Sequence, residues 1–521
     1  MKALIDRFSG SVKGVLSGFD RIVFKGWLLP LMSASRVMSF LSFKGVLNKD
    51  YKNWMVARTK DVVDTADQYA RDNSGQSIIH IPTWRIRKEE LAHKRQQQEQ
   101  IKNGLIGVWS CRENASSYRA VYCSQAGFPQ IRNYPTQCKH LYFYFDDSEF
   151  GFMNIRLQTW FPYNIQICLN GREWLRRGLE KEGVDFHVHG NKFLHIADYQ
   201  KAQQLLDEQL NTRFTDMLDG FTKRVFPGME DILGPHLSYY WTLWQSEWAT
   251  DLIFDNPDSL KAPMDALLRH AHIIGTSTRV LRYLDRPLTK AGSPDGRSHD
   301  SVTTRLTDFN DGVRIRHWVD KNSVKLYNEQ NNIRVETTIN APEKFQVFRH
   351  KQGQDENEPK QRMPMRKGVM DIPLRASISQ DVNNRLMDDL ATLEDNTPIR
   401  NFMDELTVYI TKSGRRFRGL DPVGKDQDLL LALSDPAYMI SGLTNKMLRE
   451  RLSDTPFGSG RTDKQLSAKI SRHLRLLRSH GIIRKIPRQN RYQVTTKGMR
   501  LTNALNALLA ASIEDLLKIA A

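Results

Sequence analysis

"FGFMNIRLQTWFPYNIQICLNG", Phe150–Gly171, alternates apolar and polar residues over most of its length, the period of a half-buried strand. It lies in a β-rich stretch that begins at Leu105 with "LIGVWSC", "SYRAVYC" and "KHLYFYFDD". The helical pattern "REWLRRGLEKEG" follows it, then a strand "KFLHIA" and a helix "YQKAQQLLDEQL". Strands followed by helices in this order predict an α+β body in which helices pack on an antiparallel sheet. Upstream, "FDRIVFKGWLLPL" and "SIIHIP" read as strands around the long helical run "YKNWMVARTKDVVDTADQYARD", so residues 1–211 form an N-terminal α+β domain.

Residues 212–290 read as an aromatic-rich helical segment centred on "HLSYYWTLWQSEWATDLIF", and 291–350 as a β-hairpin unit completing the body. A linker and helical connector spans 351–424, a winged helix-turn-helix 425–505, and a last helix 506–521. With 521 residues and 40% hydrophobic residues, the chain holds enough apolar material for several cores.

The charge is uneven. From Ser441 to Ala521 there are 16 Lys and Arg against 5 Asp and Glu, so +11 of the net +17 falls in the tail. "HLRLLRSHGIIRKIPRQNRYQVTTKG", His473–Gly498, carries seven Lys and Arg and no acid. Such a balance points to a polyanion as partner. At one hundred degrees per residue, Leu466, Ile470, Leu474 and Leu477 share one helix face, while Lys464, Arg472, Arg475 and Arg478 lie opposite. The basic face suits base edges in the major groove, and Arg484, Lys485, Arg488 and Arg491 on the two-stranded wing suit phosphates. Through "SRHLRLLRSHGIIRKIPRQNRYQVTTKG" the tail resembles the winged-helix domains of MarR-like bacterial regulators, which implies duplex DNA as the ligand and a homodimer reading two half-sites.

Three constellations in the body carry chemistry. In "FHVHG", His187 and His189 flank one residue and share a strand face, a spacing that suits a divalent metal. It resembles the His-hydrophobic-His motif of replication initiators and relaxases, which implies a tyrosine nucleophile and a metal that polarises the phosphodiester. In "SYYWTLWQSEWATD", Glu247 and Asp251 are four apart, hence on one side of the expected helix, as metal ligands or an acid/base pair. Tyr239 and Tyr240 are the candidate nucleophiles. In "NSVKLYNEQNNIRVETTIN", Lys325 and Tyr327 share one strand face and Arg334 and Glu336 the next. This hairpin resembles one of rolling-circle replication initiators, which implies Glu336 as a metal ligand and Lys325 neutralising developing charge; Asn328 and Glu329 depart from that family's Asp and Lys. The whole chain also resembles a widespread group of uncharacterised bacterial proteins through "GFDRIVF" and "QSEWATD", with no activity implied.

The expectation is a DNA-binding protein acting with Mg²⁺ or Mn²⁺ as a strand-nicking, replication-initiator-like or transposase-like protein of a mobile element. Two other readings stand beside it. One is a winged-helix transcriptional regulator, not an enzyme, whose body binds a ligand or partner; the other is a protein that binds structured RNA. No GxxxxGK[ST] or GxGxxG occurs, so no nucleotide cofactor is expected. Cys111, Cys123, Cys138 and Cys168 lack metal-ligand spacing, and no window of about eighteen uncharged apolar residues exists, so a cytoplasmic protein with reduced thiols and no membrane partner is expected.

Overall fold

The computed structural model describes all residues except 1–4, 7, 9, 83–84, 236, 261–276, 287–301, 310–311, 352, 354–356, 392–398, 413, 435–437, 439–441, 487–489, 511 and 513–521. In chain order the strands are β1 (Val12–Trp27), β2 (Ile79–His80), β3 (Gly104–Ala115), β4 (Tyr118–Cys123), β5 (Phe128–Asn133), β6 (Thr136–Asp147), β7 (Gly151–Gln158), β8 (Ile165–Asn170), β9 (Phe186–His189), β10 (Lys192–Ile196) and β11 (Tyr240–Phe254). They continue with β12 (Val302–Phe309), β13 (Gly312–Val319), β14 (Asn322–Glu329), β15 (Asn332–Ile339), β16 (Gln346–Arg349), β17 (Gln361–Pro364), β18 (Ile410–Lys412), β19 (Arg415–Phe417), β20 (Ile483–Lys485) and β21 (Tyr492–Val494).

The body helices are α1 (Ala34–Phe43), α2 (Tyr51–Ser74), α3 (Lys88–Gln98), α4 (Gly171–Glu182), α5 (Tyr199–Glu208), α6 (Phe214–Val225), α7 (Met229–Leu233), α8 (Ser277–Tyr283) and α9 (Ile372–Ala391). The tail adds α10 (Ile399–Thr407), α11 (Gln427–Leu433), α12 (Asn445–Leu452), α13 (Asp463–Ser479) and α14 (Thr496–Ala510). The α+β class holds. No helix among the described residues is long and apolar enough to cross a membrane.

One eleven-stranded sheet, ordered β12-β13-β14-β15-β11-β1-β8-β7-β6-β3-β2, organises the body. Every neighbouring pair is antiparallel except β2 with β3. The segments 1–211, 212–290 and 291–350, read separately from the sequence, thus all place strands in one sheet. Its back is apolar by alternation. Ile22 and Phe24 of β1 join Ile167 and Leu169 of β8 in a core with Phe214 and Phe221 of α6. Farther along the sheet, Leu252, Ile333, Val335 and Ile339 meet Val382 and Leu386 of α9. The front carries the polar set of the middle strands, and beside it Leu16 and Ile253 pack in a smaller core with Leu175 and Leu179 of α4, Phe193 of β10 and Leu206 of α5.

Residues 240–254 form strand β11 and not the expected helix. The pairing of β11 with β1 skips a residue at Trp244, between Gln245 opposite Val23 and Leu243 opposite Phe24. This bulge breaks strict alternation, so the Trp residues at 241, 244 and 248 fall at a spacing that imitates a helical repeat.

In the tail, Leu466, Ile470, Leu474 and Leu477 of α13 are buried with Leu448, Leu452, Ile482 and Val494. A capping box starts α13: the Thr462 hydroxyl accepts from Gln465 N while the Gln465 side chain accepts from Thr462 N. The β20–β21 hairpin follows, and Leu443, between α11 and α12, bridges to Tyr492 of β21.

Candidate functional site

The front of three adjacent strands, β1, β11 and β15, gathers Asp20, Glu247 and Glu336, one oxygen from each lying within 4.8 Å of the others. Opposite Ala249 of β11 stands Glu336 of β15, and Glu247 stands opposite Thr338, so both carboxylates share a face with Asp251 and Arg334. On β1 the pairing runs from Phe19 opposite Trp248 directly to Arg21 opposite Glu247, leaving Asp20 as the extra residue of a bulge. Bulges of this kind re-aim side chains. Here Asp20 and Arg21 both lie by Glu247, while Phe19 and Ile22 stay in the core behind.

Neighbouring elements fix these groups. Asn170 caps α4 by accepting from Arg172 N and Glu173 N at 2.9 and 3.1 Å, and its Nδ2 donates to Asn191 Oδ1 at 2.8 Å. Asn191, in the β9–β10 turn, donates to Asp20 Oδ1 at 2.6 Å. Helix α4 can start this close to β1 because residue 171 is glycine: a Cβ there would stand 2.1 Å from the Phe19 carbonyl oxygen. Arg334 Nη1 bonds Asp20 Oδ1 at 2.8 Å. Lys325 Nζ reaches Glu336 Oε1 at 2.5 Å, and the Tyr327 hydroxyl donates to Glu336 Oε2 at 2.9 Å. Glu247 accepts from the Gln245 amide at 2.9 Å.

The protonation balance follows from these contacts. Burial, then the neighbouring Glu336 carboxylate, raises Glu247 to about 7 against the pull of Lys325. Burial also raises Asp20, with Arg334 opposing it. Burial acts upward on Glu336 as well, but the Lys325 ammonium, Arg334 and the Tyr327 hydroxyl outweigh it and hold that carboxyl low. Carboxylates crowded in this way disfavour one another's charge, and a divalent cation between them removes the conflict. Oxygen ligands about 2.1 Å from Mg²⁺ stand roughly 3.0 to 4.2 Å apart in an octahedron, so a small contraction of the cluster suffices.

The surrounding face is cationic. Toward one edge, Arg314 and Arg316 of β13 stand opposite Tyr327 and Lys325, and Arg305 of β12 opposite Arg316. Arg305 and Arg316 both lie over the Trp318 ring, at 5.6 and 4.5 Å from its centroid. Toward the other, Lys25 and Lys367 lie 3.6 and 4.3 Å from the centroid of Trp244. Lys25 is lowered to about 8, by burial first and then by the charges of Arg156 and Lys367.

Not all residues expected from the sequence join the cluster. Asp251, fully buried, takes Arg334 Nε at 2.5 Å and Arg334 Nη2 and Arg172 Nη2 at 2.9 Å each. Although burial acts against its charge, these two guanidinium groups hold its pKa below the usual range. It is an ion-pair partner, and its four-residue separation from Glu247 is measured along a strand, about 13 Å at strand rise. Tyr239 is buried, its hydroxyl donating to the Tyr163 carbonyl at 2.7 Å. Tyr240 is 53% exposed but seven residues from Glu247 along β11, roughly 23 Å. His187 and His189 share a face of β9, yet neither joins the three carboxylates; His189 Nε2 lies 3.7 Å from Glu329 Oε1. The turn after them supplies Asn191 instead. Lys325 does lie at the site, bonded to Glu336. Asp20 was not singled out from the sequence, although a carboxylate between Phe19 and Ile22 in "GFDRIVF" is an anomaly for a core strand.

In the tail, Lys464, Arg472, Arg475 and Arg478 of α13 are all exposed, as are Arg484 and Lys485 of β20. Arg491 is half-buried beside β21. Arg488 lies outside the described residues. No protein-family model, curated protein or solved structure matches the chain.

Proposed function

We propose that this chain is a nucleic-acid-processing protein in which Asp20, Glu247 and Glu336 hold Mg²⁺ or Mn²⁺ and act on a phosphodiester. The observation that carries this reading is the meeting of three carboxylates on neighbouring strands, in the middle of a sheet face whose flanks are lined by Arg, Lys and Trp. Such flanks suit a phosphate backbone and unpaired bases. Metal held by the carboxylates would polarise a phosphoryl oxygen and activate water, while Lys325 and Arg316 would balance charge on the phosphate. Water is the nucleophile in this version. Tyr239 and Tyr240 are too remote, and Tyr327 is buried, its hydroxyl given to Glu336 and its pKa raised well above the usual value, by burial first.

The C-terminal segment, in the same proposal, is a winged helix whose α13 enters the major groove of duplex DNA, with β20–β21 against the backbone. Its helix order, its short hairpin and the Leu443–Tyr492 bridge support that reading. The test is incubation of the purified chain with labelled duplex DNA, single-stranded DNA and RNA, in Mn²⁺ or EDTA, followed by denaturing and native gels. Manganese-dependent cleavage that Glu336→Gln and Asp20→Asn both abolish is the expected result. Binding with no cleavage under any metal would sink the enzyme reading and favour the winged-helix regulator; cleavage or binding of RNA alone would favour the third.

A further inference from the structure

A second cationic site lies wholly in the tail, in a cavity of about 840 Å³ between the β18–β19 hairpin, the turn before α13, and α13 itself. Arg416, Phe417, Arg418, Arg461, Lys469 and Arg472 line it. Five of these six side chains are cations, and among the described residues the only carboxylate bonded to any of them is Asp426, which takes Arg418 through two bonds of 2.7 Å.

Among the described residues, three of the remaining cations are held in place by carbonyls or rings and not by carboxylates. Arg461 Nη1 donates to the carbonyls of Phe457 and Ser459, both at 3.1 Å. Lys469 Nζ donates to the Phe457 carbonyl at 2.9 Å and lies 3.6 Å from the centroid of its ring. Arg416 lies over the Tyr409 ring at 4.5 Å. A carbonyl or a ring orients a cation but leaves its full charge facing the cavity. The residual field is felt inside the group itself, since burial first and then Arg461 hold Lys469 below its ordinary value. Arg418 is fixed further by its place between buried Asp426 and His473, whose Nε2 is 3.4 Å from Arg418 Nη2.

We infer that this cavity binds a phosphate-bearing ligand of at least two negative charges, a compact phosphorylated molecule with Phe417 as an apolar wall. Volumes of this order accommodate whole small ligands, and arginine forks match phosphate oxygens. The site needs neither the carboxylate centre nor its metal. Because Arg472 also stands at the edge of the basic face of α13, an occupied cavity would withdraw one cation from that face and weaken duplex binding. A backbone phosphate of bound nucleic acid has the same chemistry, so the test must separate the two sources.

The full chain, in EDTA, is titrated with sodium pyrophosphate by calorimetry, and separately with a labelled duplex with and without pyrophosphate. Lys469→Gln and Arg416→Gln are compared with the parent after their melting curves have been matched. Saturable pyrophosphate binding that weakens at least tenfold in both variants, and that competes with the duplex, is the expected result. Variants that lose duplex affinity although pyrophosphate never binds would assign the cavity to backbone phosphate. Parent and variants that behave alike toward both probes would overturn the inference, and that outcome would leave the carboxylate centre untouched, since no metal is present.

Discussion

Two carboxylates four residues apart on β11 differ more than their neighbourhood suggests. Asp251 is wholly buried and shared between Arg172 and Arg334; among the described residues Glu247 receives only the Gln245 amide as a direct partner, and it faces two other acids. Both are inside the fold, so burial alone does not distinguish an ion-paired acid from one proposed to hold metal. What distinguishes them is whether the protein supplies the counter-charge. Asp251 has been given its cations, whereas burial and Glu336 raise Glu247 against the pull of Lys325 and Arg21, and in the proposed function a divalent ion supplies the remaining counter-charge.

The hardest break of this contrast is Arg334→Met. It leaves the buried Asp251 with Arg172 alone and removes a bond from Asp20, and breaking one side of a buried pair costs about 3–5 kcal/mol. Urea melts should register a loss of that size, with or without metal. Next comes Glu336→Gln, which should abolish metal-dependent cleavage while the melting transition survives. Lys325→Met and Tyr327→Phe keep all three carboxylates and remove only their supports, so metal affinity should fall about 10- to 100-fold, the usual cost of losing an outer partner of a ligand.

The pH dependence sharpens the contrast on Glu247 alone. Its pKa in the folded chain is about 7, above the ordinary 4.5. The folded state therefore holds a proton that the unfolded state releases, and the stability this gives is fully present below about 4.5 and lost as pH rises through about 7. A divalent ion competes with that proton, so the rise in melting temperature on adding Mn²⁺ should grow from pH 6 to pH 8. In Glu247→Gln both trends should flatten; unchanged slopes would mean that Glu247 does not titrate there. The smallest effect expected is on the fold when Lys464, Arg475 and Arg478 are each changed to Gln. Melting should not move, whereas the salt dependence of duplex binding should drop by about one unit for each phosphate no longer neutralised.

Much of the sheet was legible in the sequence because alternation is a local property. "NIRVETTI" separates Ile333, Val335 and Ile339 from Arg334 and Glu336 within eight residues, and the structure puts the two sets on opposite faces. Strand β11 was not legible, since the extra residue at Trp244 breaks the same pattern midway. The site was half legible. Glu247 and Glu336 attracted notice through their local company, but Asp251 did so for the same reasons, and nothing within β11 reveals that two arginines are reserved for it. Asp20 escaped because its partners are remote: 314 residues separate it from Arg334. Which strand neighbours which is decided by packing of the whole sheet and not by any window of the chain.

The extra residue in β1 makes one consequence unusual in evolutionary terms. Pairing on either side of it is regular, with Phe19 opposite Trp248 and Arg21 opposite Glu247. Removing the single codon for Asp20 would therefore close the ladder, keep every later side chain of β1 on its present face, and place a guanidinium where the third acid stood. The proposed metal site could thus be lost by a deletion that makes its strand more regular, with Arg334 Nη1 and Asn191 Nδ2 losing Asp20 as their acceptor. Among related chains, a difference of one residue in length between Phe19 and Ile22 would mark members that keep the fold without the proposed chemistry.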